Sequence, residues 1–512
     1  MSFSKINSMG LMGLDGYLVE VQADLSNGLP AYEVVGLPDA AVREAKERVR
    51  AAIKNIGASF PQKRIVINLA PASCRKEGVI YDLPIAMSLL EATGQLFIED
   101  IDCTAFIGEL SLDGRLNPVS GVLPMAIAAY QKGIKNIFVP SQNASEAAVV
   151  EGLNVYAAAS LTDIVKHFTQ EKRLSPFILD RSKLFSAASM AALDFCDVKG
   201  QENVKRALEI AAAGNHNILM VGSPGTGKTM LAQRISSILP DLTFDEALEI
   251  SKIHSIAGIL PEGSPLITTR PFRHPHHTIS SVGLSGGGTI PHPGELSLAH
   301  NGVLFLDELP EFKRDVLETM RQPLEDGCVT ISRVNATLTY PCNFMLVASM
   351  NPCKCGYLGD PRRKCTCSAA EISKYRNRIS GPLLDRIDIQ VEVAGVDYDK
   401  LSSLDKGETS AQIKERVDKT RAIQLERYKD CGIYSNSQLT PSLIQKFCRL
   451  GEAENHILRS AFDRLGLSAR AHSRILKVAR TIADMDGSEE IMVSHIAEAI
   501  QYRSLDRKYL GE

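Results

Sequence analysis

The chain has 512 residues, room for about three domains at roughly 150 residues each, with real cores. Hydrophobic residues make up 44% and charged residues 23%, an ordinary globular balance that excludes wholesale disorder. Lys plus Arg (57) nearly match Asp plus Glu (60), a net charge of -3, so any nucleic-acid contact has to come from local patches.

Residues 1–168 alternate short strands with helices. Tyr17 to Val21 and Arg64 to Leu69 (RIVINL) are expected strands, apolar and bounded by turn residues. Between them, Pro38-Asp39 opens a helix whose apolar face carries Val42, Val49, Ile53 and Ile56, and Gly57 stops it. Gly108 to Pro140 predicts a hairpin, a helix and a strand in that order. Residues 169–190 show no clear period and are expected to form a linker. Residues 191–395 alternate buried apolar strands with helices, the pattern of a parallel α/β sheet. Asn217 to Gly222 (NILMVG) and Gly302 to Leu306 (GVLFL) are its plainest strands. From 396 to 512 helices dominate. Thr440-Pro441 caps one, and Ser468 precedes another with Ile475, Ala479, Ile482 and Ala483 on one face. No apolar run is long enough to span a membrane, and Met1 to Gly10 lacks the order of a secretion signal. A cytoplasmic protein with no membrane partner is expected.

The strongest chemical signal is Gly222-Ser223-Pro224-Gly225-Thr226-Gly227-Lys228-Thr229, which follows the strand NILMVG and precedes a helix expected to start near Met230. Glycines let successive backbone N–H groups and a helix N-terminus face phosphate oxygens. Lys228 then reaches the β- and γ-phosphates of ATP, and the Thr229 hydroxyl completes a Mg²⁺ shell. A second motif, Val303-Leu-Phe-Leu-Asp307-Glu308, ends an apolar strand in two acids at the mouth where open α/β sheets bind ligands. Asp307 suits the Mg²⁺ shell, and Glu308 suits general-base activation of water.

These motifs, with Asn351 in ASMNP, resemble Walker A, Walker B and sensor 1 of an AAA+ ATPase. His274-Pro-His-His277, Gly286-Gly-Gly288 and Pro293 to Gly302 (PGELSLAHNG) resemble the magnesium-chelatase-like branch. So do Ile379 to Asp388 (ISGPLLDRID) and Ser468 to Arg480. Within that branch the whole chain is similar to the bacterial ComM/YifB family, competence-related proteins regarded as hexameric DNA helicases promoting branch migration. The resemblance implies an α/β fold in three parts: an N-terminal ribosomal S5-like, Lon-like α+β domain, an AAA+ P-loop core and a C-terminal helical lid. It implies that Asn351 polarises the attacking water or senses the γ-phosphate. By the same resemblance Arg386 is an arginine finger reaching a neighbour's nucleotide, and Arg470 is sensor 2 on the lid. Asp385-Arg386-Ile387-Asp388 also reads as a local ion pair, and Arg378 and Arg474 compete for these roles. The implied partners are single-stranded or branched DNA, further copies of the chain in a homo-hexamer, and recombination proteins acting on transforming DNA.

Eleven cysteines in a chain this long do not form a disulfide framework; four of them cluster, which points to thiolate chemistry in a reducing cytosol. Cys353, Cys355, Cys365 and Cys367 form two CxC pairs on one excursion after the sensor strand, and four thiolates there can close a structural Zn²⁺ site. Two unpaired turns or redox-active thiols are the other readings. The excursion's tip, Asp360-Pro361-Arg362-Arg363-Lys364, is basic and, pinned by the metal, can meet a phosphate backbone, or it is simply a solvated tip. The histidines of HPHH receive no metal. Leu324 to Tyr340 reads as a hairpin; in related ring motors it points into the pore, which makes Arg333 a candidate DNA contact, with an ordinary hairpin the alternative.

Residues 64–140 resemble the protease domain of Lon. The position aligned with its nucleophilic serine is Ile80, and its lysine partner falls at Leu123. Nucleophilic catalysis needs both groups, so a non-proteolytic scaffold or docking module is expected. Three functions remain. They are a DNA motor, a metal-chelatase-type motor subunit and an ATP-dependent protein remodeller. The Lon-like front domain, the cysteine excursion and the hairpin favour the first, since chelatase motor subunits as usually described lack the front domain.

Overall fold

The structure, a computed structural model, describes residues 3–180, 184, 193–261, 263–288, 291–333, 336–396, 407–503 and 505. The chain divides into two compact units, Met1–Ala188 with Thr243–Thr268, and Ser189–Leu242 with Thr269–Glu512. Most of 181–190 in the expected linker lies outside the described residues.

The first unit is built on β1 (Phe3–Met12), β2 (Asp15–Ser26), β3 (Ala31–Val35), β4 (Arg64–Ala70), β5 (Thr104–Phe106), β8 (Asn136–Pro140) and β9 (Asn154–Ala158), with a small hairpin of β6 (Glu109–Leu110) and β7 (Leu116–Asn117). The sheet order is β3-β4-β2-β1-β5-β8-β9. The strand expected at Tyr17 to Val21 is the middle of the longer β2, which pairs antiparallel with β1 and with β4. β1 carries only a weak strand pattern of its own and is held by β2 and β5 on either side. The helix Ala40–Asn55 starts as its sequence dictates: the Asp39 side chain accepts from the Val42 N–H, and Val42, Val49 and Ile53 are buried. At the two Lon-aligned positions, Leu123 is fully buried and Ile80 packs half-buried against apolar clusters.

Residues 243–268 interrupt the second unit's sequence yet pack with the first. The helix Phe244–Ile256 opens with a capping box of Thr243 and Glu246. Near its end the Ser255 hydroxyl donates to Glu146 Oε2 at 2.7 Å, and Leu266 clusters with Leu123 and Val149. Sequence pattern had placed this segment inside the 191–395 core, because its helical period says nothing about which surface it covers.

The second unit carries β10 (Ile218–Val221), β11 (Phe272–Arg273), β12 (Gly286–Gly287), β13 (His292–Pro293), β14 (Val303–Leu306), β15 (Cys328–Arg333), β16 (Ala336–Pro341), β17 (Met345–Met350) and β18 (Ile389–Glu392). Its five-stranded sheet runs β11-β14-β17-β10-β18 and is parallel throughout. β12 pairs with β13 and β15 with β16 as separate two-stranded ribbons; the turn at 334–335 lies outside the described residues. Helices Ser410–Arg427, Pro441–Phe447, Glu452–Leu465, Ala469–Met485 and Val493–Gln501 follow. Ser468 caps the fourth of these by accepting from Ala471 N at 3.1 Å, and Ile475, Ala479, Ile482 and Ala483 bury its inner face. They share one apolar core with β10, β14, β17 and β18. Among the described residues no helix is long and apolar enough to cross a membrane.

Candidate active site

Because β14, β17 and β10 are adjacent and parallel, their carboxyl ends open on one edge. The order brings Asn351, at the end of β17, between Gly222–Thr229 and Asp307–Glu308. A cleft of about 410 Å³ results, lined among others by Gly225, Lys228, Thr229, Asp307, Glu308 and Asn351. That volume suits the polar half of a nucleotide. The helix after the loop starts at Lys228, two residues before the expected Met230, because Gly227 takes φ 86 and turns the chain directly into it. A side chain at Gly227 strains that left-handed turn.

Lys228 is 8% exposed, and its Nζ donates to Gly222 O at 2.7 Å, Ser223 O at 3.0 Å and Asn351 Oδ1 at 3.2 Å. Burial lowers its pKa, against the upward pull of Asp307 and Glu308. Thr229 Oγ1 donates to Asp307 Oδ2 at 2.7 Å. Asp307 Oδ1 accepts from the Ser349 hydroxyl and from the Glu308 N–H. A hydroxyl and a carboxylate already in contact are hard oxygen donors suited to Mg²⁺. Glu308 sits at φ 53, a left-handed conformation costly for a residue with a side chain, and the turn leaves it exposed at the cleft. Ser349 was not legible as a site residue; its only signal is its place two residues before Asn351 on a strand beside Asp307.

Arg386 and Arg470 do not border this cleft, and among the described residues no arginine lines it. Both stand instead in a separate cleft of about 900 Å³ together with Glu325 and Arg474. Arg386 is 6% exposed: its guanidinium donates to Pro382 O at 2.6 Å and pairs with Glu325 at 2.5 Å, while its Nε is buried without a hydrogen-bond partner. Arg470 keeps 59% of its side chain exposed, 4.0 Å from the same Glu325 oxygen and 3.8 Å from Asp385. No motif pointed to Glu325, which faces both arginines. Of the competitors, Arg378 pairs with Glu311 and Arg474 with Asp388.

Arg386 and Arg474 are tied into a buried polar network. Asn217 donates to Arg386 O at 2.9 Å. Asp388 accepts from Arg474 and lies 3.2 Å from Nδ1 of His216, whose Nε2 meets Thr481 Oγ1 at 2.8 Å. Burial alone raises the Asp388 carboxyl, but Arg474, His216 and Lys477 outweigh it and hold the group well below the usual carboxylate range. The depressed folded-state pKa means stability that is full above the ordinary value of 3.8 and lost as pH falls below it. Asp388→Asn is expected to cost about 3–5 kcal/mol at pH 7 by leaving buried cations unpaired. Urea melts of the variant at pH 7 and pH 3.5 should differ less than those of the parent; equal acid sensitivity contradicts the assignment.

The four cysteines do converge. Their sulfurs all lie within 4.8 Å of one another, with Cys353–Cys355 at 3.4 Å, Cys353–Cys365 at 3.7 Å and Cys355–Cys365 at 3.6 Å. A tetrahedral zinc–thiolate centre with bonds near 2.3 Å has sulfur–sulfur edges of about 3.8 Å, so the donor set fits Zn²⁺. Backbone N–H groups of Tyr357 and Thr366 pull the Cys355 thiol down to about 5. At the excursion's tip Arg363 donates to the Tyr357 hydroxyl and Arg362 to Val396 O, while Lys364 is exposed. Arg333 is exposed at the end of β15. In HPHH, His274 packs on Phe305 and His277 on Phe312.

Strand order, phosphate loop and paired acids define a P-loop ATPase of the AAA+ type. Family models described as magnesium chelatase, subunit ChlI, match residues 194–401, 21–143 (subunit ChlI of Mg-chelatase) and 407–503 (subunit ChlI C-terminal). Competence protein ComM of Haemophilus influenzae is 45% identical over 512 residues, covering 99% of this chain and 98% of its own. YifB of Escherichia coli, described as uncharacterized, is 44% identical over 510 residues, 99% of this chain and 98% of its own. The chain belongs to the ComM/YifB family. A Lon protease of Mycolicibacterium smegmatis is 27% identical over 170 residues, 31% of this chain and 21% of the protease. The match at 21–143 also bears a chelatase name, so the front domain does not by itself separate this chain from chelatase-type motors.

Proposed function

We propose that this protein is one subunit of a ring-forming, ATP-driven DNA motor, a homo-hexameric helicase that promotes branch migration during recombination of transforming DNA. The observation that carries the reading is the division of the catalytic groups. One chain supplies phosphate loop, Asp307, Glu308 and Asn351, but Arg386 and Arg470 stand in a different cleft. Hydrolysis then needs a second copy, whose arginines meet the outer phosphate as charge develops there. In the joined site Lys228 and the loop N–H groups bind the triphosphate, Thr229 and Asp307 hold Mg²⁺, and Glu308 takes the proton of the attacking water. Asn351 orients that water. Mg²⁺ supplies charge neutralisation on the phosphates.

DNA as the track is supported by the competence name of the Haemophilus relative, and by Arg333 on the β15–β16 ribbon, which a ring repeats in every copy. Arg362, Arg363 and Lys364 are secondary candidates for DNA contact. The front domain serves as a non-proteolytic scaffold. Forked or single-stranded DNA is expected to raise the ATPase rate several-fold, with a stimulation that falls steeply as salt rises. An ATPase rate indifferent to saturating DNA throughout a low-salt range sinks the DNA reading. The chelatase-named matches favour the second reading, a motor that remodels a partner protein. In that case a protein substrate, and not DNA, stimulates the rate.

A further inference from the structure

The cysteine excursion meets the nucleotide site at three points. Chain continuity is the first link: β17 ends at Met350, Asn351 meets Lys228, and Pro352 leads into the buried Cys353. The second is Gly356, whose N–H donates to Cys353 O at 3.0 Å. It has φ 86, and a Cβ there would lie 2.5 Å from Cδ of Pro224 in the phosphate loop. No side chain fits that approach without displacing the loop. The third is Asp360. Its carboxylate accepts from the Arg362 N–H at 2.7 Å and from the Arg363 N–H at 3.1 Å, and these bonds together with the neighbouring Ser223 hydroxyl of the phosphate loop hold it below the usual carboxylate range. Ser223 thereby stands between Lys228, which donates to its carbonyl, and the Asp360 carboxylate.

We infer that the excursion from Cys353 to Cys367 is a positioning element of the nucleotide site, in which thiolates gathered on one metal ion fix Gly356 and Asp360 against Pro224 and Ser223 and so set the phosphate loop. The inference rests on the reading of the Lys228 cleft as the triphosphate site, and it is independent of what the motor acts on. A loop that grips phosphate through consecutive N–H groups is sensitive to such bracing, since a displacement of about 1 Å at a reacting geometry costs up to about a hundredfold. Loss of the ion therefore weakens the hold on nucleotide.

The test uses the full chain, with zinc content by elemental analysis, melting temperature, ATP affinity from a fluorescent analogue and steady-state kinetics. Asp360→Ala is expected to keep its zinc and its melting temperature while weakening ATP binding by about tenfold or more, and Gly356→Val, strained at φ 86, to melt lower with a similar loss of affinity. In Asp360→Ala the loss falls on KM for ATP with kcat little changed, and Asp360→Asn, which keeps a side-chain oxygen beside Ser223, regains most of it. Stripping the ion with a chelator, at a temperature where the chain stays folded, is expected to weaken ATP binding to a similar degree and leave nucleotide-free DNA binding unchanged. Unchanged ATP affinity in both variants, or after the ion is removed, overturns the proposal. So does a loss confined to DNA binding. A parent protein that fails to bind ATP at all, like Lys228→Ala, indicts the triphosphate reading instead.

Discussion

Lys228→Ala is expected to abolish nucleotide binding, and all turnover with it, while the chain melts where the parent does. Among the described residues the Lys228 ammonium is the one cation lining the phosphate loop's cleft, and each charge-assisted bond it makes to a phosphate oxygen contributes about 1.5–3 kcal/mol. Two such bonds amount to at least about a hundredfold in Kd. Stability changes little because burial already disfavours the charged amine, so its removal relieves a cost while giving up contacts to Gly222 O, Ser223 O and Asn351. Calorimetric titration with a non-hydrolysable analogue, beside a thermal melt, reads both. Turnover retained in the variant removes the site.

Arg386→Ala and Arg470→Ala are expected to do the opposite, sparing ATP binding and lowering kcat by about a thousandfold or more, the range of an arginine that stabilises charge on a transferring phosphoryl group. Neither residue lines the cleft of its own chain, so neither is needed to load it. Mixing Arg386→Ala with Lys228→Ala is expected to restore part of the turnover, because some interfaces then pair an intact loop with an intact arginine. No recovery in the mixture means that the arginines act within their own chain or only hold the fold. Arg470 is already exposed, whereas Arg386 has to leave Glu325 and the Pro382 carbonyl before it can reach a neighbour.

The phosphate loop was legible because its chemistry is local: consecutive N–H groups, a lysine and a hydroxyl have to follow one strand within eight residues. Asp307 and Glu308 were legible for a similar reason, as acids closing a buried apolar run, although nothing in that run foretold the left-handed turn at Glu308. The cysteines announced themselves by spacing, but their sequence did not say that Gly356 backs onto Pro224. Ser349 and Glu325 had no motif at all. One acts through a strand neighbour and the other through a helix end, and both partners are distant in sequence.

By itself the sequence determined the chemistry this protein can perform on a nucleotide, because strands, caps and phosphate-binding turns are fixed by residues a few positions apart. Only the tertiary structure decided where the remaining parts stand. It gave residues 243–268 to the front unit, drew Arg386 inward under Glu325, and set both arginines away from the loop they are expected to serve. Those outcomes depend on which surfaces are buried together. Burial follows from the packing of elements far apart in the chain, and periodicity along one element cannot name its partner.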